Sequence, residues 1–228
     1  MSDAEQQTYM AKISDETLHF GAFHFDDRKV TGAQIAEAMH AHPVSDFVVI
    51  QQLPNLELES LRPTELADLT KSTRFFVIRG DATYNFVVDG LSMTWPQKAI
   101  AARSVKLLLG LDGETHDLLL EREDRPDKVI ENDEEINLAR GGVEKLRTRA
   151  VKFTIIVEGT EHDWYKKIIS YDEVVTLEVP DYAQHPEITY SVKYSKGSGE
   201  KPDGTLAKGA SVKVNEGMIF NVSETGQS

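Results

Sequence analysis

Apolar and polar positions alternate in short runs along this chain, and the runs recur in one order. In the last third, Val151, Phe153, Ile155 and Val157 alternate with their neighbours, the period of a half-buried strand. Glu158-Gly159 supplies a turn, and Trp164, Lys166 and Ile168 fall on one side of a returning strand. Ser170 and Glu173 have the S-x-x-E spacing of a capping box, in which two side chains satisfy backbone amides at a helix start. Val174, Val175 and Leu177 form that helix's buried stripe, and Pro180 ends it. If Leu177 is buried, Leu177→Ala should cost about 2–5 kcal/mol. Ile188, Tyr190, Val192 and Tyr194 alternate again, GSGEKPDG (197–204) reads as a loop, and Val212, Val214, Met218, Phe220 and Val222 supply closing strands.

The middle third repeats this order. Tyr84, Phe86 and Val88 lead to Asp89-Gly90, a strong two-residue hairpin signal, and Leu91, Met93 and Trp95 run back. Val105, Leu108 and Leu109 have i, i+3, i+4 spacing, with Gly110 placed to cap the helix. A strand over Leu118–Glu121, a loop EREDRPDK (121–128) and strands over Glu135–Leu138 and Val143–Arg147 complete the unit. The first third is more divergent. Leu18, Phe20, Phe23 and Phe25 read as two strand phases broken by a bulge near Gly21. Thr31 and Gln34 form a second capping box before Ile35 and Met39, Phe47–Ile50 is a buried strand, and Arg74–Ile78 closes the unit. The closing segments DLTKSTRFFVI (68–78), NLARGGVEKLR (137–147) and KVNEGMIFNVS (213–223) align with one another.

A repeat at this scale sets the fold. The 228 residues divide into three units of about 76, each with strand-strand-helix-strand-strand order. That is an α+β fold of three tandem β-grasp (ubiquitin-like) domains, with boundaries expected at 1–79, 80–149 and 150–228. One large α+β domain, or three unrelated small units, is the alternative. The junctions at 78–83 and 146–151 contain no Ser/Gly/Pro-rich spacer, so limited interdomain freedom is expected.

Composition narrows the chemistry. Cysteine is absent, which excludes disulfides, thiolate zinc sites and a cysteine nucleophile. A net charge of −13 argues against nucleic-acid partners. The densest basic stretch, Lys145, Arg147, Arg149 and Lys152, has the spacing of a solvated strand face. No run approaches the ~18 apolar residues of a membrane helix, and MSDAEQQTYM lacks a secretion signal, so the expectation is a cytoplasmic protein with no membrane partner. His19 and His24 differ by an odd number along a strand, His40 and His42 sit beside Pro43, and His162 and Asp163 fall in an expected turn. None has companions at metal-ligand spacing. The acidic runs EREDRPDK and ENDEE (131–135) lack the EF-hand order, and KGSGEKPDG lacks the phosphate-loop order. No nucleophile motif stands out. No catalytic residue, metal or cofactor is expected, and the chain reads as a substrate of enzymes rather than an enzyme.

Three stretches carry a resemblance: ITYSVKYSKGSGEKPDGTLAKGASVKVNEGMIFNVSETGQS (188–228), TRFFVIRGDATYNFVVDGLSMTWPQKAI (73–100) and HPVSDFVVIQQLPNLELESLRPTELADLT (42–70). They are similar to the bacterial multi-ubiquitin domain proteins, and the resemblance covers all but about the first seven residues. It implies a protein modifier whose C-terminal carboxyl is activated by an adenylating enzyme, passed to a conjugating enzyme and joined to a target amine. It also implies a peptidase that trims the tail or reverses the linkage, and a role in antiphage defence. Modifiers of this type usually end in di-glycine, whereas this tail is SETGQS. Thr225, Gly226, Gln227 and Ser228 are therefore the expected conjugation or processing tail, with either Gly226, after loss of two residues, or Ser228 as the working end. Glycine suits a narrow enzyme channel because it lacks a side chain. If Val222 ends the strand, Ser223–Ser228 reach at most about 20 Å. The alternative is a non-covalent scaffold whose open sheet edges pair copies into homo-oligomers or filaments.

Overall fold

The computed structural model describes residues 8–185, 187–199 and 202–225. Repeat one contains β1 (Tyr9–Ser14), β2 (Gly21–Phe25), β3 (Lys29–Thr31), α1 (Gly32–Ala38), β4 (Phe47–Gln52), β5 (Leu58–Leu61), β6 (Leu66–Asp68) and β7 (Arg74–Arg79). Repeat two contains β8 (Tyr84–Val88), β9 (Leu91–Trp95), β10 (Ala99–Ala101), α2 (Ala102–Leu108), β11 (His116–Leu120), β12 (Lys128–Ile130), β13 (Glu135–Asn137) and β14 (Glu144–Ala150). Repeat three contains β15 (Phe153–Val157), β16 (Thr160–Trp164), β17 (Ile168–Ser170), α3 (Tyr171–Glu178), β18 (Tyr190–Ser195), β19 (Gly204–Leu206), β20 (Ser211–Lys213) and β21 (Ile219–Glu224).

Each repeat has one five-stranded mixed sheet, in the orders β2-β1-β7-β4-β5, β9-β8-β14-β11-β12 and β16-β15-β21-β18-β19. First and last long strands lie side by side and parallel, with Ile13 opposite Phe75, Val88 opposite Leu146 and Val157 opposite Phe220. A two-stranded ribbon (β3-β6, β10-β13, β17-β20) accompanies each helix. This is three tandem β-grasp domains, as the order of signals requires.

Local chemistry explains the elements. Thr31 and Ser170 cap α1 and α3 through complete capping boxes with Gln34 and Glu173. The helix of repeat two starts at Ala101 without a side-chain cap. Asp89-Gly90 and Glu158-Gly159 take positive φ at both positions (50° and 81°, 46° and 84°), the twist that suits a two-residue hairpin. The helices bury Ile35, Val105 and Val174 against inward sheet residues such as Phe75, Leu146 and Phe220. Leu177 is half-buried at the rim of its core, so Val174 and Val175 carry most of that stripe.

Several expectations need correction. The first strand of repeat one is Tyr9–Ser14, where Ala11 and Ile13 are buried. Leu18 and Phe20 belong to the loop that follows it, Leu18 at φ 62°, so the broken phase near Gly21 is a loop entering a strand rather than a bulge. Lys166 is off the strand of Trp164, which ends there, and Ile168 opens the next one. The loop expected through residue 204 ends in a strand at Gly204, where a Cβ would stand 2.6 Å from the Tyr194 hydroxyl. The register also shifts the alignment of NLARGGVEKLR by two residues: Leu146, not Glu144, is the counterpart of Phe75 and Phe220.

The chain divides into two compact units. One holds repeat one and repeat two up to Gly113, with Leu118–Thr148; the other holds Glu114–Asp117 and Arg149 onward. In the first unit the outward face of the β4–β7 pair is apolar and buried. Ile50, Phe76 and Ile78 are fully buried in one core with Trp95, Phe86 and Leu108 of repeat two. Phe76 meets Trp95 edge-on at 5.9 Å and Phe20 at 5.4 Å, which is where the displaced loop side chain goes. Gln52 Nε2 donates to the Leu108 carbonyl at the end of α2 (2.8 Å), and the Ser92 amide donates to Glu57 (3.1 Å). In the second unit Asp117 accepts from Arg149 (2.6 Å) and Lys167 (2.9 Å), while the Val151 and Lys167 amides donate to the Thr115 and Glu114 carbonyls. Three residues of the basic run are thus matched by acids: besides Arg149, Arg147 meets Asp127 and Lys152 meets Asp163, both at 2.8 Å.

Candidate functional site

The expected tail begins where β21 ends, and the strand is longer than Val222. It pairs antiparallel with β18 from Ile219↔Ser195 through Ser223↔Ser191 to Glu224↔Tyr190. Thr225 continues the attachment: its amide and its hydroxyl both donate to the Thr189 carbonyl, at 2.8 and 2.7 Å. On the other side, the Val222 amide donates to a Glu158 carboxylate oxygen and the Glu158 amide donates to the Phe220 carbonyl. Thr225 is therefore clasped to the sheet. Gly226, Gln227 and Ser228 lie outside the described residues.

A tyrosine cluster backs this clasp. The hydroxyl of Tyr171, the first residue of α3 and 2% exposed, donates to the Tyr190 carbonyl (2.8 Å) and accepts from the Tyr190 amide (3.1 Å). Both backbone groups of the residue after Thr189 are thereby fixed. Tyr182 stacks edge-on against Tyr171 and Tyr190 at 6.3 and 5.8 Å, and its hydroxyl donates to Asp172. Burial, with help from Asp172, pushes the Tyr182 phenol up to about 12, and burial followed by the Glu224 charge raises Tyr190. No spacing rule identifies Thr189, Tyr190 or Tyr171, because the acceptors that matter are backbone carbonyls.

A groove of about 500 Å³ runs beside α3, lined in part by Trp164, Tyr165, Thr176 and Leu177. Its acids are engaged. Lys152 holds Asp163 below the usual carboxylate range, and Asp172 accepts from Tyr182. At Glu173, burial works upward but is outweighed by bonds from Lys166 and Ser170, leaving the group lowered. Among the described residues no unpaired general base lines this groove. Among the described residues no group of three or more His, Asp or Glu is placed to hold a metal ion, and no helix is long and apolar enough to cross a membrane. His19 contacts the Thr17 hydroxyl within its own loop.

No curated protein matches the chain. The Multiubiquitin family matches at residues 16–81, 84–150 and 153–226. The second and third segments contain their repeats' first strands, whereas the first begins after β1. Three matched segments, each on a β-grasp sheet and together spanning most of the chain, show that the protein belongs to the Multiubiquitin family.

Proposed function

We propose that the chain is a ubiquitin-like protein modifier, non-enzymatic itself, that is joined to targets through the end of its third repeat. An adenylating enzyme would activate the carboxyl and a conjugating-type enzyme would transfer it, with Gly226 as the working end after a peptidase removes Gln227 and Ser228. The observation that carries this reading is the clasp at Thr225. Two hydrogen bonds to Thr189 fix Thr225 at the end of the last strand of the third ubiquitin-like sheet, which supports a conjugation role for this end of the repeat. Gly226 lacks a Cβ, which favours entry into a narrow channel.

Mass spectrometry of the protein co-expressed with an adenylating enzyme and a peptidase from its gene neighbourhood tests the proposal. The expected product is a Gly226 carboxyl found as an adenylate, ester or isopeptide. A chain whose terminal residues stay unmodified with active enzymes present refutes it.

A further inference from the structure

The three repeats use one outward sheet surface in three ways, and the strand register lets them be compared position by position. In repeat one the four central outward positions are Val48, Ile50, Phe76 and Ile78, where Val48 pairs with Ile78 and Ile50 with Phe76. The last three are fully buried in the core shared with repeat two. The matching positions in repeat two are Asp117, Leu119, Arg147 and Arg149, since Leu118 opposite Ile130 corresponds to Val49 opposite Leu61. Here the device is ionic: Asp117 is 9% exposed and receives Lys167 and Arg149. In repeat three the positions are Ser191, Lys193, Asn221 and Ser223, pairing Ser191 with Ser223 and Lys193 with Asn221. Lys193, Asn221 and Ser223 are exposed and Ser191 is half-buried.

The inward positions do not change in this way. Val49, Phe75 and Val77 become Val192, Phe220 and Val222, all apolar. Selection for a stable domain is therefore intact in repeat three, and the polarity switch is confined to the outward face. Covering such a face would bury polar groups with no partner, which costs free energy. The ionic device of repeat two is missing as well. Ser191 stands where Asp117 stands, so no carboxylate awaits a basic residue. The ribbon register makes Arg28 of repeat one the counterpart of Lys167, and Arg28 already holds Asp68 at 2.7 Å. In a second copy stacking its first repeat here, Arg28 would therefore face Ser191 rather than a carboxylate.

We propose that the third repeat is a terminating repeat, whose outward sheet face stays in water and prevents copies of this chain from stacking head to tail through it. Arrays of stacked repeats need such a polar end to remain soluble, and a head-to-tail contact that does not close would otherwise run on into fibres. The inference concerns this face alone and is independent of whether the tail is conjugated.

The test is light scattering of the full chain together with photo-crosslinking. The variant Ser191→Val/Lys193→Ile/Asn221→Phe/Ser223→Ile restores the pattern of repeat one. Folded, it is expected to shift from its wild-type mass to twice that or more as concentration rises; a folded variant that keeps the wild-type mass overturns the proposal. The second arm does not depend on that variant folding. A benzoylphenylalanine at Asn221 in the otherwise unchanged protein is expected to yield no chain-to-chain crosslink, even if the protein associates through another surface. A crosslink from Asn221 to a second copy overturns the proposal.

Discussion

Phe76→Ala should loosen repeat two although Phe76 lies in repeat one. The ring is fully buried, touches Phe20 and Trp95 edge-on, and belongs to the core that joins Ile50 and Ile78 to Phe86 and Leu108. Truncating a buried Phe costs about 3–5 kcal/mol, part from lost transfer energy and part from the cavity. Two aromatic edge contacts are included in that loss. With a urea slope of about 2 kcal/mol per M, the unfolding midpoint falls by about 1.5–2.5 M. The two tryptophans make the measurement local, because Trp95 lies in the first unit and Trp164 in the second. In a Trp164→Phe background, emission reports only Trp95. Coupled repeats move the Trp95 transition by the full amount. A Trp95 midpoint that stays put while repeat one unfolds early would show that the two repeats fold independently and that the shared core does not couple them.

Further outcomes follow from the third repeat and its neighbouring segment. Tyr171→Phe removes two hydrogen bonds to Tyr190, together about 1–3 kcal/mol, so amide exchange at Tyr190 and Thr225 should accelerate about 5- to 150-fold by mass spectrometry or NMR; an unchanged Thr225 rate disconnects the tyrosine from the clasp. At Asp117, burial works upward but is outweighed by Arg149 and Lys167, so the folded carboxyl titrates below its unfolded value. Its stabilisation is present above about pH 4 and is lost as pH falls through the lower folded value. Asp117→Asn should therefore lower the Trp164-reported melting temperature at pH 7 and flatten its decline in acid. Tyr182 behaves in the opposite sense: its folded pKa is raised to about 12, so its contribution is complete below about pH 10 and disappears as pH passes 12. Tyr182→Phe should remove a late step from the phenolate absorbance titration.

The sequence is informative where one residue type meets a local rule. Two capping boxes, two hairpin turns ending in Gly90 and Gly159, and the strands on each side of the first turn are readable from spacing, whereas the strand after Gly159 runs Thr160–Trp164, through the His162-Asp163 pair expected in a turn. It is uninformative where a side chain serves a neighbouring repeat. Leu18 and Phe20 look like strand residues because they are apolar, yet they are apolar for the sake of the core shared with repeat two. The first strand, YMAKIS, hides because its buried positions are Ala11, Ile13 and Ser14, a weak alternation. The clasp is invisible for a different reason. Its acceptor is the Thr189 carbonyl, which any residue would supply, and only the register brings it to Thr225. The outward polarity of repeat three is written plainly in Ser191, Lys193, Asn221 and Ser223, but it acquires meaning only once pairing shows that these replace Val48, Ile50, Phe76 and Ile78.

The parallel pairing of first and last long strands has a consequence for how the protein is made. In each repeat the partners lie about 60 residues apart in sequence, which at about 5–20 residues per second takes the ribosome roughly 3–12 s to span. Until the last strand emerges, the nascent hairpin of each repeat lacks its central neighbour, and a two-stranded hairpin alone is marginal in water. Translation therefore passes through three successive waiting intervals, each closed by the arrival of one strand. Pausing late within a repeat prolongs the exposure of an open sheet edge, whereas pausing just after a repeat gives a completed sheet time to settle before the next begins.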